Sequence, residues 1–334
     1  MMRLRTAILL SVHFALSHAL NVLAVAVAQS DTPSDAVAAS DRFSIEEQVD
    51  RLVILRAGKP AAEFVFRDEK ILRPYFANVK ASADLQVTRN HPPVTDRDAI
   101  DHAENHPGVW LAFGDVSGHD FWRNKGRIKH MQFSRRPAAS GDVIKFTTES
   151  KLMTADDRNV CDLTSRITLA APRPDGWLLA WDATFRSNEG DFTFGDQEEM
   201  GFGARVATAF TESSGGSIVN SHGLKTAAAT WGQPAAWCDY SGVMGDHPGG
   251  ITLMAAPSNF RESWWHNRNY GVFVANPFGR AAMKQGEKSR ITVKRGEPFR
   301  ITFGAYIHHG SQYAPAVAYA DFVERIPKVF TDVD

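Results

Sequence analysis

The chain has 334 residues, with 37 basic and 38 acidic side chains and a formal net charge of −1. A nearly neutral protein has no general electrostatic attraction for nucleic acid or anionic lipid, so neither is expected as a partner. With 43% hydrophobic residues, the chain is long enough to bury a core without disulfide or metal staples.

The first residues have the three parts of a secretory signal peptide. Arg3 and Arg5 give a positive start, residues 7–23 are mostly apolar, and Ala26-Val27-Ala28 is a small-x-small cleavage site. We therefore predict a signal peptide over residues 1–28 and a disordered polar spacer over 29–41. Because nothing after residue 28 is apolar enough to span a membrane, the mature protein is expected to be periplasmic or secreted.

Apolar and polar residues alternate along most of the remaining chain, which is the period of a half-buried strand. The segment 58–60 and the run 172–176 have turn sequences between such stretches. Only residues 315–325 have helical periodicity, and Pro315 suits a first helical position, which needs no backbone N–H. The predicted strands, in chain order, cover residues 51–57, 62–67, 142–152, 159–170, 177–187, 250–255, 270–275, 289–294 and 298–308.

Many strands, one helix and no internal linker predict one all-β domain over residues 42–330, a large antiparallel β-sandwich. Two long loops are predicted at 78–110 and 210–250, and loops of that length in a compact domain are usually functional. The two cysteines, Cys161 and Cys238, leave two alternatives: a disulfide, or two separate buried thiols.

Five blocks of sequence resemble a family of exported bacterial proteins labelled "methane oxygenase PmoA-like". The blocks are HAENHPGVW (102–110), FGDVSGHDFW (113–122), FGDQEEMGFGAR (194–205), WGQPAAWCDYSG (231–242) and WHNRNYGVFVANPFG (265–279). A methane monooxygenase subunit is an integral membrane protein, so the oxygenase chemistry in that label is not expected here. The resemblance implies a secreted sandwich from glycan-degrading bacteria, similar to those of sugar mutarotases and polysaccharide lyases.

A carboxylate and several histidines are the candidates for proton transfer. Glu199 precedes a glycine-rich stretch that ends at Arg205, and a nearby arginine would keep the acid ionised, as a base or electrostatic partner. His106 and His266 are the candidate proton donors, because imidazole titrates near neutrality. His102 and His106 have the i, i+4 spacing of a metal site on a helix, but Pro107 and the glycine after it exclude a helix there, so neither metal nor cofactor is predicted.

Aromatic and polar side chains in the same blocks suit a sugar. Indole rings can stack on the apolar face of a pyranose, although core packing is the ordinary role of tryptophan on strands. Arg268 could clamp a carboxylate, which points to uronic acids, and polar side chains such as Asn220 often serve only as turn formers. Sequence signatures of serine esterases, nucleotide-binding proteins and zinc proteases are absent.

These observations predict an exported carbohydrate-active enzyme that acts on a glycan or glycoside by acid/base chemistry, as a glycoside hydrolase or a polysaccharide lyase. Hydrolysis would need a second carboxylate, which is assigned to Asp239. The alternatives are a non-catalytic glycan-binding protein and, more remotely, a metal-dependent oxidoreductase. The predicted catalytic residues are Glu199, His106, His266 and Asp239. The predicted substrate-binding residues are His102, His119, Asp120, Trp110, Trp122, Arg205, Asn220, Trp231, Trp237, Tyr240, Trp265, Arg268 and Tyr270.

Overall fold

The computed structural model describes residues 42–330, so the predicted signal peptide and spacer lie outside the described residues. Within that range the chain forms strands and two helices, α1 (Ala227–Thr230) and α2 (Pro315–Phe330). The strands are β1 (Phe43–Glu47), β2 (Arg51–Arg56), β3 (Lys59–Val65), β4 (Tyr75–Ala77), β5 (Lys80–Ser82), β6 (Leu85–Gln86), β7 (Val109–Phe113), β8 (Arg127–Ser140), β9 (Val143–Met153), β10 (Asn159–Arg173), β11 (Gly176–Arg186), β12 (Phe192–Phe194), β13 (Met200–Arg205), β14 (Ser217–Asn220), β15 (Trp237–Met244), β16 (His247–Ala255), β17 (Trp264–Asn267), β18 (Val272–Asn276), β19 (Ile291–Val293) and β20 (Phe299–His309).

Two eight-stranded sheets make up the body of the fold. The first sheet has the order β1-β2-β3-β4-β7-β13-β18-β17, and the second has the order β14-β15-β16-β20-β11-β10-β9-β8. Neighbouring strands pair antiparallel in both sheets. The prediction of an all-β chain with large antiparallel sheets is therefore confirmed.

Strict alternation places the core between the two sheets. Along β9, every second residue is buried, and Ile144, Phe146 and Leu152 belong to the main hydrophobic cluster. Side chains with the opposite parity point away from that cluster, because successive residues of a strand face opposite sides of the sheet. Each sheet therefore has an outer face, and only the outer face of the second sheet is covered by a helix in residues 42–330.

Helix α2 covers the outer face of the second sheet. Ala318 and Phe322 of the helix are buried with Leu178 and Tyr306 of the sheet in a separate apolar cluster. The ring of Phe322 packs directly on Gly304, where an added Cβ would lie 2.8 Å from the ring carbons. The predicted helix over 315–325 is confirmed, and it continues to Phe330.

Within the described part of the chain, no helix packs on the outer face of the first sheet in the same way. One cross-strand row on this face runs through Tyr75, Trp110, Gly203, Val274 and His266. Gly203 gives the row its shape, because a Cβ there would lie 2.9 Å from the Trp110 ring and 3.0 Å from Val274. The missing side chain lets the indole of Trp110 lie flat over the neighbouring strand.

The structure confirms two predicted turns and corrects both predicted long loops. The hairpin around residues 58–60 is confirmed as β2 and β3, and the turn at 172–176 joins β10 and β11. The long loop predicted over 210–250 is wrong, because it contains β14, β15 and the start of β16. The other, over 78–110, contains the short strands β5 and β6. Both cysteines are free and buried, so the disulfide alternative is wrong. Within residues 42–330 no helix has the length and apolarity needed to cross a bilayer.

Candidate functional site

One acidic side chain on the outer face of the first sheet lies against three nitrogen-bearing side chains. The Oε1 atom of Glu198 lies 2.9 Å from Nδ1 of His266 and accepts a hydrogen bond of 3.0 Å from Nε1 of Trp231. Arg268 donates to the same oxygen through Nη2. Glu198 retains a side-chain exposure of 34%, whereas His266 retains 6%. The carboxylate therefore borders solvent, and the imidazole lies beneath it.

The β17–β18 hairpin explains why His266 reaches this face. His266 pairs with Val274 in the cross-strand row, so alternation sends it outward and turns Trp265 toward the core. Arg268 begins the turn between the two strands, with its backbone N–H bonded to the carbonyl of Val272 at 2.8 Å. The hairpin thus presents an imidazole and a guanidinium two residues apart.

Asn276, at the end of the same hairpin, positions the acidic partner. Its Nδ2 atom donates to the backbone carbonyls of Gln197 at 2.8 Å and Glu198 at 3.0 Å. Its Oδ1 atom accepts from the N–H groups of Phe278 and Gly279. Because Asn276 is fully buried, these bonds fix the backbone of Glu198 against the strand that neighbours His266.

The charges in this cluster follow from its contacts. Burial alone would raise the pKa of Glu198, but the hydrogen bond and charge of His266, then Arg268 and Trp231, outweigh it and hold the pKa at about 2. Burial lowers the pKa of His266, and the adjacent Glu198 offsets only part of that effect. At neutral pH the pair is an ionised carboxylate beside a neutral imidazole.

A second group of polar side chains lies next to the first on the same face. Arg205 is buried and bonds Asp101 with both terminal nitrogens, at 3.1 and 2.8 Å. Its guanidinium lies 4.6 Å from the ring centroid of Tyr270. Because desolvation is outweighed by the hydrogen bonds of Arg205 and His102, the pKa of Asp101 lies well below its usual range. Arg205 is thus committed to an internal ion pair.

Four flat rings stack in sequence beside that ion pair. Tyr270 stacks on His102, His102 on His106, and His106 on Trp110, with centroid separations of 6.5, 5.2 and 5.3 Å. Trp122 meets the stack edge-on at 5.5 Å from Trp110. His102 is exposed, Tyr270 is half-buried, and the other rings are buried. The exposed end of the stack is what a ligand could touch.

His106 is a poor candidate for the proton donor. Burial, then the charge of Arg205, lowers its pKa well below the usual value, so the ring is neutral. Its Nδ1 atom is buried and has no hydrogen-bond partner in the described structure. Arg89 donates to the carbonyl of His106 at 3.2 Å, which ties the loop to the sheet. The role of His106 is therefore to support the ring stack.

Glu199 points to a different partner from its neighbour. It forms an ion pair with Arg123, and Arg123 also bonds Asp120 at 2.9 Å. Asp120 further accepts from the backbone N–H groups of Trp122 and Arg123. His119 precedes this turn and is half-buried. The prediction that Glu199 is the acidic partner of His266 is therefore corrected, because the acid that contacts His266 is Glu198.

Asp239 lies on the other sheet and cannot act with His266. It follows Trp237 by two residues on β15, so both point to the outer face of the second sheet, toward α2. There its Oδ1 atom accepts from Thr252 at 2.6 Å and contacts Nε2 of His308 at 2.9 Å. The prediction that Asp239 supplies a second catalytic carboxylate is wrong, because the whole sandwich separates it from Glu198.

Four of the predicted substrate contacts are structural groups. Trp265 is in the core and donates to the carbonyl of Ala235. Tyr240 is also in the core, with its hydroxyl on the 268–269 turn, and Trp237 packs in the α2 cluster. Asn220 accepts from two backbone N–H groups of its own turn. These four predictions are wrong. Strand alternation directs Trp265, Tyr240 and Trp237 to other faces of the sheets, and Asn220 stabilises its own turn.

Several site residues were missed from the sequence. Glu198 stands beside Glu199 ahead of β13, where strand parity does not yet tell the two acids apart. Asp101 lies in the loop next to His102, one residue before the first recognised block, and is part of no recognised motif. Lys284 lies in a turn after the last recognised block, with Nζ 5.6 Å from the ring centroid of Trp231. The described residues contain no group of three or more His, Cys, Asp or Glu side chains placed to hold a metal ion.

No curated protein sequence matches this chain. Several solved structures are similar to this chain at low identity. Against the heparan sulfate lyase HepC of Pedobacter heparinus the identity is 7% and the TM-score 0.38, covering 82% of this chain and 36% of the lyase. Against a GalM/aldose epimerase homologue of C. elegans the identity is 8% and the TM-score 0.33, covering 80% of this chain and 100% of that one. The chain thus spans just over a third of the lyase's length. A family model matches residues 51–320, and the chain belongs to that family, the family of unknown function DUF6807.

Proposed function

We propose that this protein is a carbohydrate-active enzyme that acts on a glycan or glycoside by acid/base chemistry, with His266 as the proton carrier. The observation that carries the proposal is the contact between His266 and Glu198 at 2.9 Å, on an open face lined with aromatic rings. A carboxylate that holds one nitrogen of an imidazole orients the ring and stabilises its protonated form.

The charge states favour proton abstraction. A neutral His266 can accept a proton on Nε2, because Nδ1 faces Glu198. The imidazolium that forms then remains paired with an ionised carboxylate, and Arg268 keeps that carboxylate ionised. The proton can be returned from Nε2 to a leaving oxygen, so a single imidazole can serve as base and then as acid.

Aromatic rings around the pair suit a sugar ring. Trp231 and Tyr270 are half-buried and His102 is exposed, so each offers part of a flat surface to solvent. Trp110 and Trp122 are fully buried and support this surface from below. We assign substrate contact to the first three rings only.

Elimination fits this arrangement better than hydrolysis with two carboxylates. Hydrolysis by the common route needs a second carboxylate across the scissile bond. Asp239 lies on the other sheet, and Glu199 is paired with Arg123. Elimination needs one base and stabilisation of the developing negative charge, which His266 and Arg268 would supply.

The test is turnover of a panel of purified glycans by the mature protein, with His266→Asn as the variant and His222→Asn as its control. His222 is exposed on a turn away from this face. We expect the wild type and His222→Asn to release products at equal rates and His266→Asn to lose at least roughly a hundredfold. A matched thermal melt separates loss of chemistry from loss of folding. Equal rates in all three proteins would remove His266 from the mechanism.

A non-catalytic glycan-binding protein is the second candidate. The observation in its favour is that three carboxylates of the face are each paired with an arginine: Asp101 with Arg205, Glu199 with Arg123, and Glu198 with Arg268. Tight binding of a glycan with no product over days would favour this alternative.

We also propose that the protein acts outside the cytoplasm. The signal peptide predicted over residues 1–28 and the resemblance to exported PmoA-like proteins support this location. Expression of the full chain in a Gram-negative host tests it, with N-terminal sequencing of the periplasmic fraction. A mature protein that begins at Gln29 is expected, and an uncleaved cytoplasmic chain would contradict the proposal.

A further inference from the structure

Two cations lie close to the indole of Trp231. The guanidinium carbon of Arg268 lies 5.9 Å from the ring centroid, and Nζ of Lys284 lies 5.6 Å from it. Among residues 42–330, the acid in contact with this group is Glu198, which accepts hydrogen bonds from Trp231 and Arg268. Since His266 is neutral, two positive charges face one negative charge at the open edge of the site.

Lys284 has no acidic partner among the described residues and is exposed. A solvated lysine is ordinary on a protein surface, but it is usually free to move away from its neighbours. Here the backbone that carries it is held on several sides. The fold therefore fixes the backbone from which the Lys284 side chain extends.

Asp196 anchors the turn that carries Lys284. Its carboxylate accepts from the backbone N–H groups of Ala281 at 2.9 Å, Ala282 at 2.9 Å and Ser289 at 2.6 Å. These bonds join both ends of the turn to the segment that leads into Glu198. Asp196 is a positioning residue, and this role accounts for the first acid of the FGDQEE block.

The start of the same turn is fixed by Asn276 and by close packing. Asn276 bonds the N–H groups of Phe278 and Gly279, and also the carbonyl of Glu198. A Cβ on Gly279 would lie 2.4 Å from the carbonyl oxygen of Gln197, so the two backbones touch. The backbone of Glu198 and the turn that carries Lys284 are therefore held in place relative to each other.

We propose that the glycan is acidic, and that the carboxylate of a uronic acid ring binds between Lys284 and Arg268 beside Trp231. The inference rests on the proposed function and names its substrate class. Lys284 supplies a point charge, and Arg268 retains N–H donors beyond the one that bonds Glu198. Binding of an anion here would balance the excess of positive charge at the edge of the site.

A sulfate ester would present similar anionic chemistry, so the experiment separates the two. The mature protein is titrated by calorimetry with an oligogalacturonide, with the same oligosaccharide after reduction of its carboxyl groups, and with a sulfated oligosaccharide that lacks carboxylates. Lys284→Gln is the variant, and Lys288→Gln is the control, because Lys288 is an exposed lysine on the same turn.

We expect the oligogalacturonide to bind wild type and Lys288→Gln alike and to bind Lys284→Gln roughly threefold to tenfold more weakly, as for loss of one partly exposed charge contact. The difference should shrink as salt rises from 20 to 500 mM, values chosen to span strong and weak screening at roughly a Debye length of 20 to 4 Å. The carboxyl-reduced ligand should bind weakly to all three proteins.

Equal binding of the acidic and reduced ligands, or equal affinity of the two variants, would overturn the inference. Lys284-dependent binding of the sulfated ligand alone would overturn the assignment to a carboxylate. Turnover of a neutral glycan that depends on His266 and not on Lys284 would refute the substrate class and leave the proposed enzyme intact. Lys284-dependent binding of the oligogalacturonide without turnover would support the inference and refute the enzyme.

Discussion

The Nδ1 atom of His266 faces Oε1 of Glu198 at 2.9 Å, while Glu199, the next residue, turns away to Arg123. Two consecutive acids of one motif thus serve different purposes. Glu198 contacts His266, and Glu199 is part of a half-buried ion pair just before β13.

Replacement of Glu198 by Gln should change both the rate and its pH dependence. Glu198 raises the pKa of His266 against the lowering effect of burial, so its loss lowers that pKa further. A base must be neutral to act, and the acid limb of the pH–rate profile should therefore move to lower pH. The maximal rate should fall at least roughly tenfold, because the imidazolium loses its partner. Glu199→Gln is the matched control, and an identical shift in both variants would contradict the assignment.

Replacement of Asp239 by Ala should affect stability but leave catalysis unchanged. Asp239 is buried and satisfies Thr252 and His308 on the outer face of the second sheet. Loss of the carboxylate removes the partner of Nε2 of His308, whereas Thr252 keeps its contact with the Tyr313 hydroxyl, so we expect a cost of about 1–3 kcal/mol in the free energy of unfolding. Urea titration measures that loss, and kcat at a temperature where the variant is folded measures the chemistry. A fall in kcat comparable with that of Glu198→Gln would bring Asp239 back into the mechanism.

Replacement of Gly203 by Ala should disturb the aromatic support of the site. The new Cβ would lie 2.9 Å from the Trp110 ring and 3.0 Å from Val274, so the indole must shift. Overpacking of this kind costs roughly 1–3 kcal/mol. Thermal unfolding and the tryptophan near-UV spectrum report the change. Gly58→Ala has open space around its Cβ, although its positive φ adds strain of its own. Near-UV spectra that change equally in the two variants would contradict the role given to Gly203.

His130 should contribute a pH-dependent loss of stability. Burial, then the charge of Arg67, lowers its pKa to about 4, whereas the unfolded chain has a value near 6.5. As the pH falls from roughly 6.5 to 4, the unfolded state takes up a proton that the folded state does not, so stability decreases. His130 packs between Phe66 and Phe133, each at 4.8 Å, so His130→Phe keeps the aromatic packing. The urea midpoint should differ less between pH 7 and pH 5 in this variant than in wild type, and His222→Phe should leave that difference unchanged.

The fold was largely predictable because alternation is a local property. Strands such as β9 and β11 bury every second residue or both faces, and their patterns are visible along the chain. The long edge strand β8 was missed because most of its residues are exposed and its register with β9 shifts three times. A strand with little to bury leaves no hydrophobic period to read.

The site was predicted only in part, because a strand's sequence does not say which sheet it joins. Strand β13 lies within one recognised block and β15 begins within another, yet β13 belongs to the first sheet and β15 to the second. Arg205 and Asp239 are therefore on opposite sides of the molecule. The sequence also predicted Glu199 in place of Glu198. The position of Glu198 depends on a hydrogen bond from Asn276, which lies on a strand much later in the chain, to the backbone carbonyl of Glu198.

The hydrogen-bonded connection that Asp196 and Asn276 form between two stretches of the chain has a consequence for substitutions there. It makes two stretches of chain about eighty residues apart in sequence into one mechanical unit. Substitution of Asp196 or Asn276 is therefore expected to displace both Glu198 and the turn that carries Lys284.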